Sequence, residues 1–181
     1  MPLRKSCLIA FLVSLLVLPL IAHDTGFPEK TLKSIFPDAT GFTPRKKSFT
    51  PAQVKQIEQA SGSKLEHNDN PLNFYVALGK PADGSGVLGS VVLIDADGPK
   101  GGMDIAVGVK RDGTIAKVLI TENNDDKGLS APAFLDQLKG KSTQAPLAVG
   151  KDIKYTGDAK SAEAFLSAVR RGLQMLAAAG K

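Results

Sequence analysis

Tyr155-Thr156-Gly157-Asp158-Ala159-Lys160-Ser161-Ala162-Glu163-Ala164 runs a short polar turn straight into an apolar-periodic helix near the end of the chain. That helix carries Phe165, Leu166, Val169, Leu173 and Leu176 on one stripe, with Arg170, Arg171 and Gln174 off it, the spacing of a helix laid against a core. It is expected to close a sheet. A turn of small residues ahead of a helix leaves unpaired backbone N–H groups at the positive end of the helix dipole, which suits a phosphate. The same residues also have a plain structural reading, in which Asp158 or Ser161 caps the helix and nothing binds.

The sheet is announced in the middle of the chain. Phe74 to Leu78, Val87 to Ile94, Met103 to Val109 and Thr114 to Thr121 are four strand candidates bounded by Gly, Asp and Pro. Arg111-Asp112-Gly113-Thr114 supplies a two-residue hairpin turn, because Asp-Gly tolerates the positive φ that such a turn demands. The last two strands are therefore expected to be antiparallel neighbours. Gly98-Pro99-Lys100-Gly101-Gly102 reads as a turn, or as a place where backbone approaches a ligand closely.

Two helices precede the strands. Phe27 to Phe36 places Leu32, Ile35 and Phe36 on one side, and Pro37 stops it. Thr50-Pro51-Ala52-Gln53 is a helix start, with Thr as cap, Pro at the first helical position and Gln three residues after the cap. After the last strand, Glu122-Asn123-Asn124-Asp125-Asp126-Lys127-Gly128-Leu129 leads to a short helix over Ala131 to Leu138 and then Lys139-Gly140-Lys141-Ser142.

This order resembles the FMN-binding domains of the C subunit of sodium-pumping NADH:quinone reductase and the G subunit of Rnf complexes. Ile35-Phe36-Pro37-Asp38-Ala39 is similar to their leader, Asp125 to Leu129 stand where they show Glu-Thr-Pro-Gly-Leu, and Phe134 through Ser142 is similar to their Phe-x-Gly-Lys stretch. The resemblance covers roughly Leu72 to Leu176. Those domains carry a Ser/Thr-Gly-Ala-Thr turn whose last Thr is esterified to FMN phosphate. Thr156, Gly157, Asp158 and Ala159 fall on these four positions, and Ser161 falls on the hydroxyl residue that often follows. Ala159 has no oxygen to esterify, so the resemblance implies FMN held noncovalently. Thr156, Gly157, Asp158, Ala159, Lys160 and Ser161 would hold the phosphate end, with Lys160 as counter-charge and Asp158 opposing it. Gly128 and Leu129 would face the ring.

The chain has 181 residues and a formal net charge of +5. Arg4 and Lys5 precede an apolar run from Cys7 to Ala22 broken by Ser14 and Pro19, short for a spanning helix, which needs roughly 20 apolar residues. Residues 1–22 are therefore read as a secretory signal, or alternatively as an N-terminal anchor. Both place the remainder outside the cytoplasm, in the periplasm or an equivalent compartment. Without Arg4 and Lys5 the charge is +3. No basic run is interleaved with aromatics, which argues against nucleic acid. Cys7 is the only cysteine, so the mature chain would have neither a disulfide nor thiol chemistry.

The remaining candidates have bland readings beside them. Glu122, Asp125 and Asp126 with Asn123 and Asn124 are oxygen ligands of the type calcium accepts, but they lack the alternation of an EF-hand loop and read first as a solvated turn. His23 and His67 are the only histidines and are far apart, which disfavours a metal centre or a Ser-His-Asp triad. Lys100, Lys110, Arg111 and Lys117 read as a soluble surface, with the steering of an acidic redox partner or an anionic ligand as the alternative.

The expected fold is α+β, a single domain with a twisted, largely antiparallel sheet packed by the C-terminal amphipathic helix and shorter helices. Its expected organisation is a signal at 1–22, a helical leader at 23–71 and an FMN-binding-like domain at 72–181. The expected function is extracytoplasmic electron transfer with a membrane or periplasmic redox partner. A flavin-free binding module on the same scaffold is the alternative. No acid, base or nucleophile cluster marks a turnover enzyme.

Overall fold

The computed structural model describes residues 27–80, 84 and 86–180. The expected signal at 1–22, and His23 with it, lies outside these residues. Five strands, β1 (Gly41–Lys47), β2 (Leu72–Leu78), β3 (Val87–Asp97), β4 (Gly102–Lys110) and β5 (Ile115–Asn123), form one sheet in the order β1-β2-β3-β4-β5. Each neighbouring pair is antiparallel. Strands β4 and β5 are joined as antiparallel neighbours as expected, with Val107 opposite Val118 in the ladder. The connection is a three-residue loop, Arg111 to Gly113, rather than a two-residue turn: the Lys110 N–H donates to the Thr114 carbonyl and the Gly113 N–H to the Lys110 carbonyl, with Gly113 at φ 83° and Asp112 not at positive φ. The α+β expectation is met.

Strand β1 was not legible in the sequence. Its residues, Gly-Phe-Thr-Pro-Arg-Lys-Lys, contain a proline and a basic run. A strand tolerates these at a sheet edge, where they also discourage pairing with another chain.

Among the described residues four α-helices accompany the sheet: α1 (Glu29–Ile35), α2 (Pro51–Ser61), α3 (Pro132–Leu135) and α4 (Ala159–Ala179). Helix α2 begins with the expected capping box. The Thr50 side chain accepts from the Gln53 N–H, and the Gln53 side chain accepts from the Thr50 N–H.

Helices α2 and α4 lie against one face of the sheet and α1 against the other. Alternation along the strands builds the larger core. Val92, Ile94 and Ala96 of β3 and Met103, Ile105 and Val107 of β4 join Ala162, Phe165, Leu166, Val169 and Leu173 of α4. Burying a side chain such as Phe165 contributes about 1.5–3 kcal/mol. Val91 and Ala106 point the other way, toward Leu32, Ile35 and Phe36.

Arg171 departs from the expected stripe, because it is buried rather than exposed. Its Nε lies 2.8 Å from Asp69 Oδ2, and one terminal nitrogen donates to the Asp95 carbonyl at 2.6 Å. A buried guanidinium is tolerable only with such partners. No helix among the described residues is long and apolar enough to cross a membrane.

Candidate functional site

Three segments meet at one end of the sheet: the β3–β4 hairpin tip, the segment after β5, and the turn that opens α4. After β5, Asp126 starts a single tight helical turn, Lys127–Ser130, by accepting the Gly128 N–H at 3.0 Å. An Asp two residues ahead of a free N–H forms such a bond readily. Its other carboxylate oxygen accepts the Asp158 N–H at 2.9 Å. One side chain thus ties the two halves of the site together.

Helix α4 is capped by Asp158, whose Oδ1 accepts the Ser161 N–H at 2.9 Å. Ser161 is fully buried and donates its hydroxyl to Asp125 Oδ1 at 2.7 Å. Asp125 is itself buried, and its Oδ2 has no hydrogen-bond partner among the described residues. That oxygen presses on Gly98, where an added Cβ would stand 1.5 Å from it. The glycine of the β3–β4 hairpin therefore makes room for a carboxylate of its own chain. Lys100, in the same hairpin, brings Nζ to 3.8 Å from Asp158 Oδ2, whereas Lys160 is exposed.

The titration of these carboxylates follows from their donors. The Asp158 and Gly128 N–H groups hold Asp126 below the usual carboxylate range. The Ser161 N–H does most of the same for Asp158. Both are ionised at neutral pH.

Tyr155 covers this junction. An added Cβ on Gly157 would stand 2.4 Å from its hydroxyl, and one on Gly128 2.8 Å, so both glycines yield their space to the tyrosine. The hydroxyl oxygen is buried and, though it stands beside Asp126, its geometry completes no hydrogen bond. Burial first, and then the Asp126 carboxylate, push the phenol up to about 12. Its ring lies 4.7 Å from Phe134, which in turn lies 5.5 Å from Phe165. Beside this aromatic stack is a cleft of about 400 Å³, walled by Gly128, Ala131, Phe134, Tyr155, Thr156 and Gly157, among others.

The eight residues expected to bind a cofactor divide accordingly. Thr156, Gly157 and Gly128 line the cleft. Leu129 is buried in the core, Ser161 is buried against Asp125, and Asp158 caps the helix. Ala159 and Lys160 are exposed on the first turn of α4. Asp126, Tyr155 and Lys100 were named in the sequence, as part of the acidic loop, the turn and the basic surface, but were not assigned to the site. The Asp126-Lys127-Gly128 spacing, an Asx turn in outline, was the signal for the first. Among the described residues no group of three or more His, Cys, Asp or Glu side chains is arranged to hold a metal ion.

The site tests differently at the two ends of an FMN molecule. The cleft offers Phe134 and Tyr155 as aromatic surface of the kind a flavin ring stacks on, with Asp126, Gln137 and Lys154 as polar residues beside them. At the start of α4 two of the amides that a phosphate would use, those of Asp158 and Ser161, are given to Asp126 and Asp158, and the neighbouring carboxylates oppose an anion there.

No family model and no curated protein matches the chain. Among solved structures, the crystal structure of Shewanella oneidensis NqrC is similar in fold, with a TM-score of 0.50 and 16% sequence identity over 78% of this chain and 82% of that one.

Proposed function

We propose that this chain is an exported electron-transfer module of the flavin-domain type, which holds a flavin ring noncovalently in the cleft between Phe134 and the Tyr155–Gly157 turn. The observation that carries the reading is the cleft itself, about 400 Å³ with Gly128, Phe134, Tyr155 and Thr156 on its walls. Support comes from the NqrC-like fold and from the resemblance to the C-subunit flavin domains. A bound flavin would supply electron acceptance and donation. The chain's own residues would stack on the ring, limit its contact with water and present it to a membrane or periplasmic redox partner.

Attachment would be noncovalent because Ala159 offers no oxygen. Ser161 is also poorly placed as an acceptor, being buried and bonded to Asp125. Thr156 is the hydroxyl residue of the turn that lines the cleft.

A second reading, a flavin-free binding module on the same scaffold, is favoured by one observation: Asp126 and Asp158 take up the Asp158 and Ser161 N–H groups at the start of α4.

Purification from an exported preparation separates the readings. Yellow protein whose colour is released by acid precipitation supports the noncovalent flavin module. Colourless protein that also fails to take up added flavin supports the flavin-free module. A yellow pellet after acid would make Thr156 the acceptor and contradict noncovalent attachment.

A further inference from the structure

We propose that the part of the sheet face left open beside α1, on β3, β4 and β5, is a docking surface for a basic protein segment, with cations set against Asp95, Asp104 and Glu122 and an apolar side chain on Leu93. This surface is distinct from the flavin cleft, and its test needs no flavin.

Alternation and register build it. Val91 and Ala106 point toward α1, so Leu93 and Asp95 on β3 and Asp104 on β4 share their face, since side chains two residues apart lie on the same side of a strand. Asp95 pairs with Asp104, and Asp104 with Glu122, which sets three carboxylates in one row across three strands. Leu93 is 40% exposed, and all three acids are exposed. Helix α1, which buries Val91 and Ala106, therefore does not reach the row.

Among the described residues none of the three carboxylates forms an ion pair. Burial first, and then the other two carboxylates, hold Asp104 above the ordinary carboxylate range, the mark of like charges left facing one another. The cations nearby are occupied or distant. Lys127 donates to the Asn123 carbonyl, Lys117 donates to Ser34, and Lys100 stands by Asp158. Lys46 lies on β1, two strands from Asp95, roughly 10 Å by strand spacing.

A segment that brings cations relieves this repulsion and gains attraction, whereas an anionic lipid surface meets the row with like charge. Neighbouring strands stand about 4.8 Å apart, and helix side chains at i, i+4 and i+7 stand about 5–6 Å apart. A basic helix laid across the strands thus presents one cation to each carboxylate. Leu93, two residues from Asp95 on the same strand, gives that helix an apolar contact. Glu122 leads through Asn123 into the Asp126 turn, so a docked partner stands at the same end of the sheet as the cleft.

The test is an amide titration of the ¹⁵N-labelled exported protein with an Ala-rich helical peptide of about 16 residues, carrying Lys at i, i+4 and i+7 and Leu at i+3. Saturable shifts are expected at the Leu93, Asp95, Asp104 and Glu122 signals, with affinity falling as salt is raised. Asp104→Asn and Glu122→Gln should each weaken binding about two- to fivefold. Leu93→Asn, which leaves every charge in place, should weaken it at least about threefold. No saturable shift at these amides, or an affinity that none of the three substitutions changes in protein that melts cooperatively, overturns the proposal. Shifts that follow protein concentration without peptide give the face to a second copy, and contacts from residues before Phe27 give it to the chain's own N-terminal segment. Either result overturns the proposal too.

Discussion

The Asp126 carboxylate accepts the backbone N–H of Asp158 at 2.9 Å, joining two segments 32 residues apart. Asp158 in turn caps α4 through the Ser161 N–H. The chain thereby supplies anions of its own at the helix start, where a phosphate would otherwise be attracted.

Asp126→Ala is expected to lower the melting temperature by a few degrees and to expose the Asp158 and Gly128 N–H groups to hydrogen exchange. The pH dependence has a definite sign. Both carboxylates are held below their ordinary value of 3.8, so their stabilisation is present above that pH and is lost as pH falls through the folded-state value. Melting curves taken from neutral pH down to about pH 3 should show the mutant and wild type converging toward the acid end.

Tyr155→Phe removes a buried hydroxyl that has no hydrogen bond and should leave the melting temperature unchanged or raise it. The phenol is pushed up to about 12 from an ordinary 10.0, so above pH 10 the unfolded chain releases a proton that the folded one keeps, and wild type loses stability relative to Tyr155→Phe as pH rises from 10 through the folded-state value. Ultraviolet titration of phenolate in wild type and Tyr155→Phe should place the missing step near pH 12.

Asp69→Ala leaves the buried Arg171 guanidinium without the carboxylate 2.8 Å from its Nε. Removing one partner of a buried pair costs about 3–5 kcal/mol, measurable by urea unfolding. Replacing both residues with apolar ones should cost less than the single change.

Asp104 sits opposite Asp95 on β3 and Glu122 on β5. Burial first, and then these two carboxylates, raise it above its ordinary range. Like charges facing across strands destabilise a sheet, so Asp104→Asn should raise the melting temperature slightly at neutral pH. The gain should vanish in acid, since a raised value means the repulsion appears only as pH climbs through it.

Periodicity and turn chemistry made much of the fold legible. The Thr50-Pro51-Ala52-Gln53 start formed as read, and the hairpin at Asp112-Gly113 formed where read though with a three-residue loop, because their bonds lie within a few residues of sequence. Strand β1 escaped because its pairing with β2 is a tertiary fact that a run with Pro44 and three consecutive basic residues does not announce. Arg171 escaped for a related reason: its partner Asp69 comes from a distant loop.

At the site, the turn before α4 was found, yet its electrostatics were not. Asp158 was visible as a possible cap, but the approach of Asp125 and Asp126 from the end of β5, and of Tyr155 onto Gly157, exists only once the sheet is assembled.

The central claim is that the Asp158 and Ser161 amides at the start of α4 are taken by carboxylates of the chain itself. Amide nuclear magnetic resonance of ¹⁵N-labelled protein titrated with inorganic phosphate tests it most directly. The account predicts that the Asp158 and Ser161 signals stay in place through the titration. Saturable shifts of those two amides would contradict it.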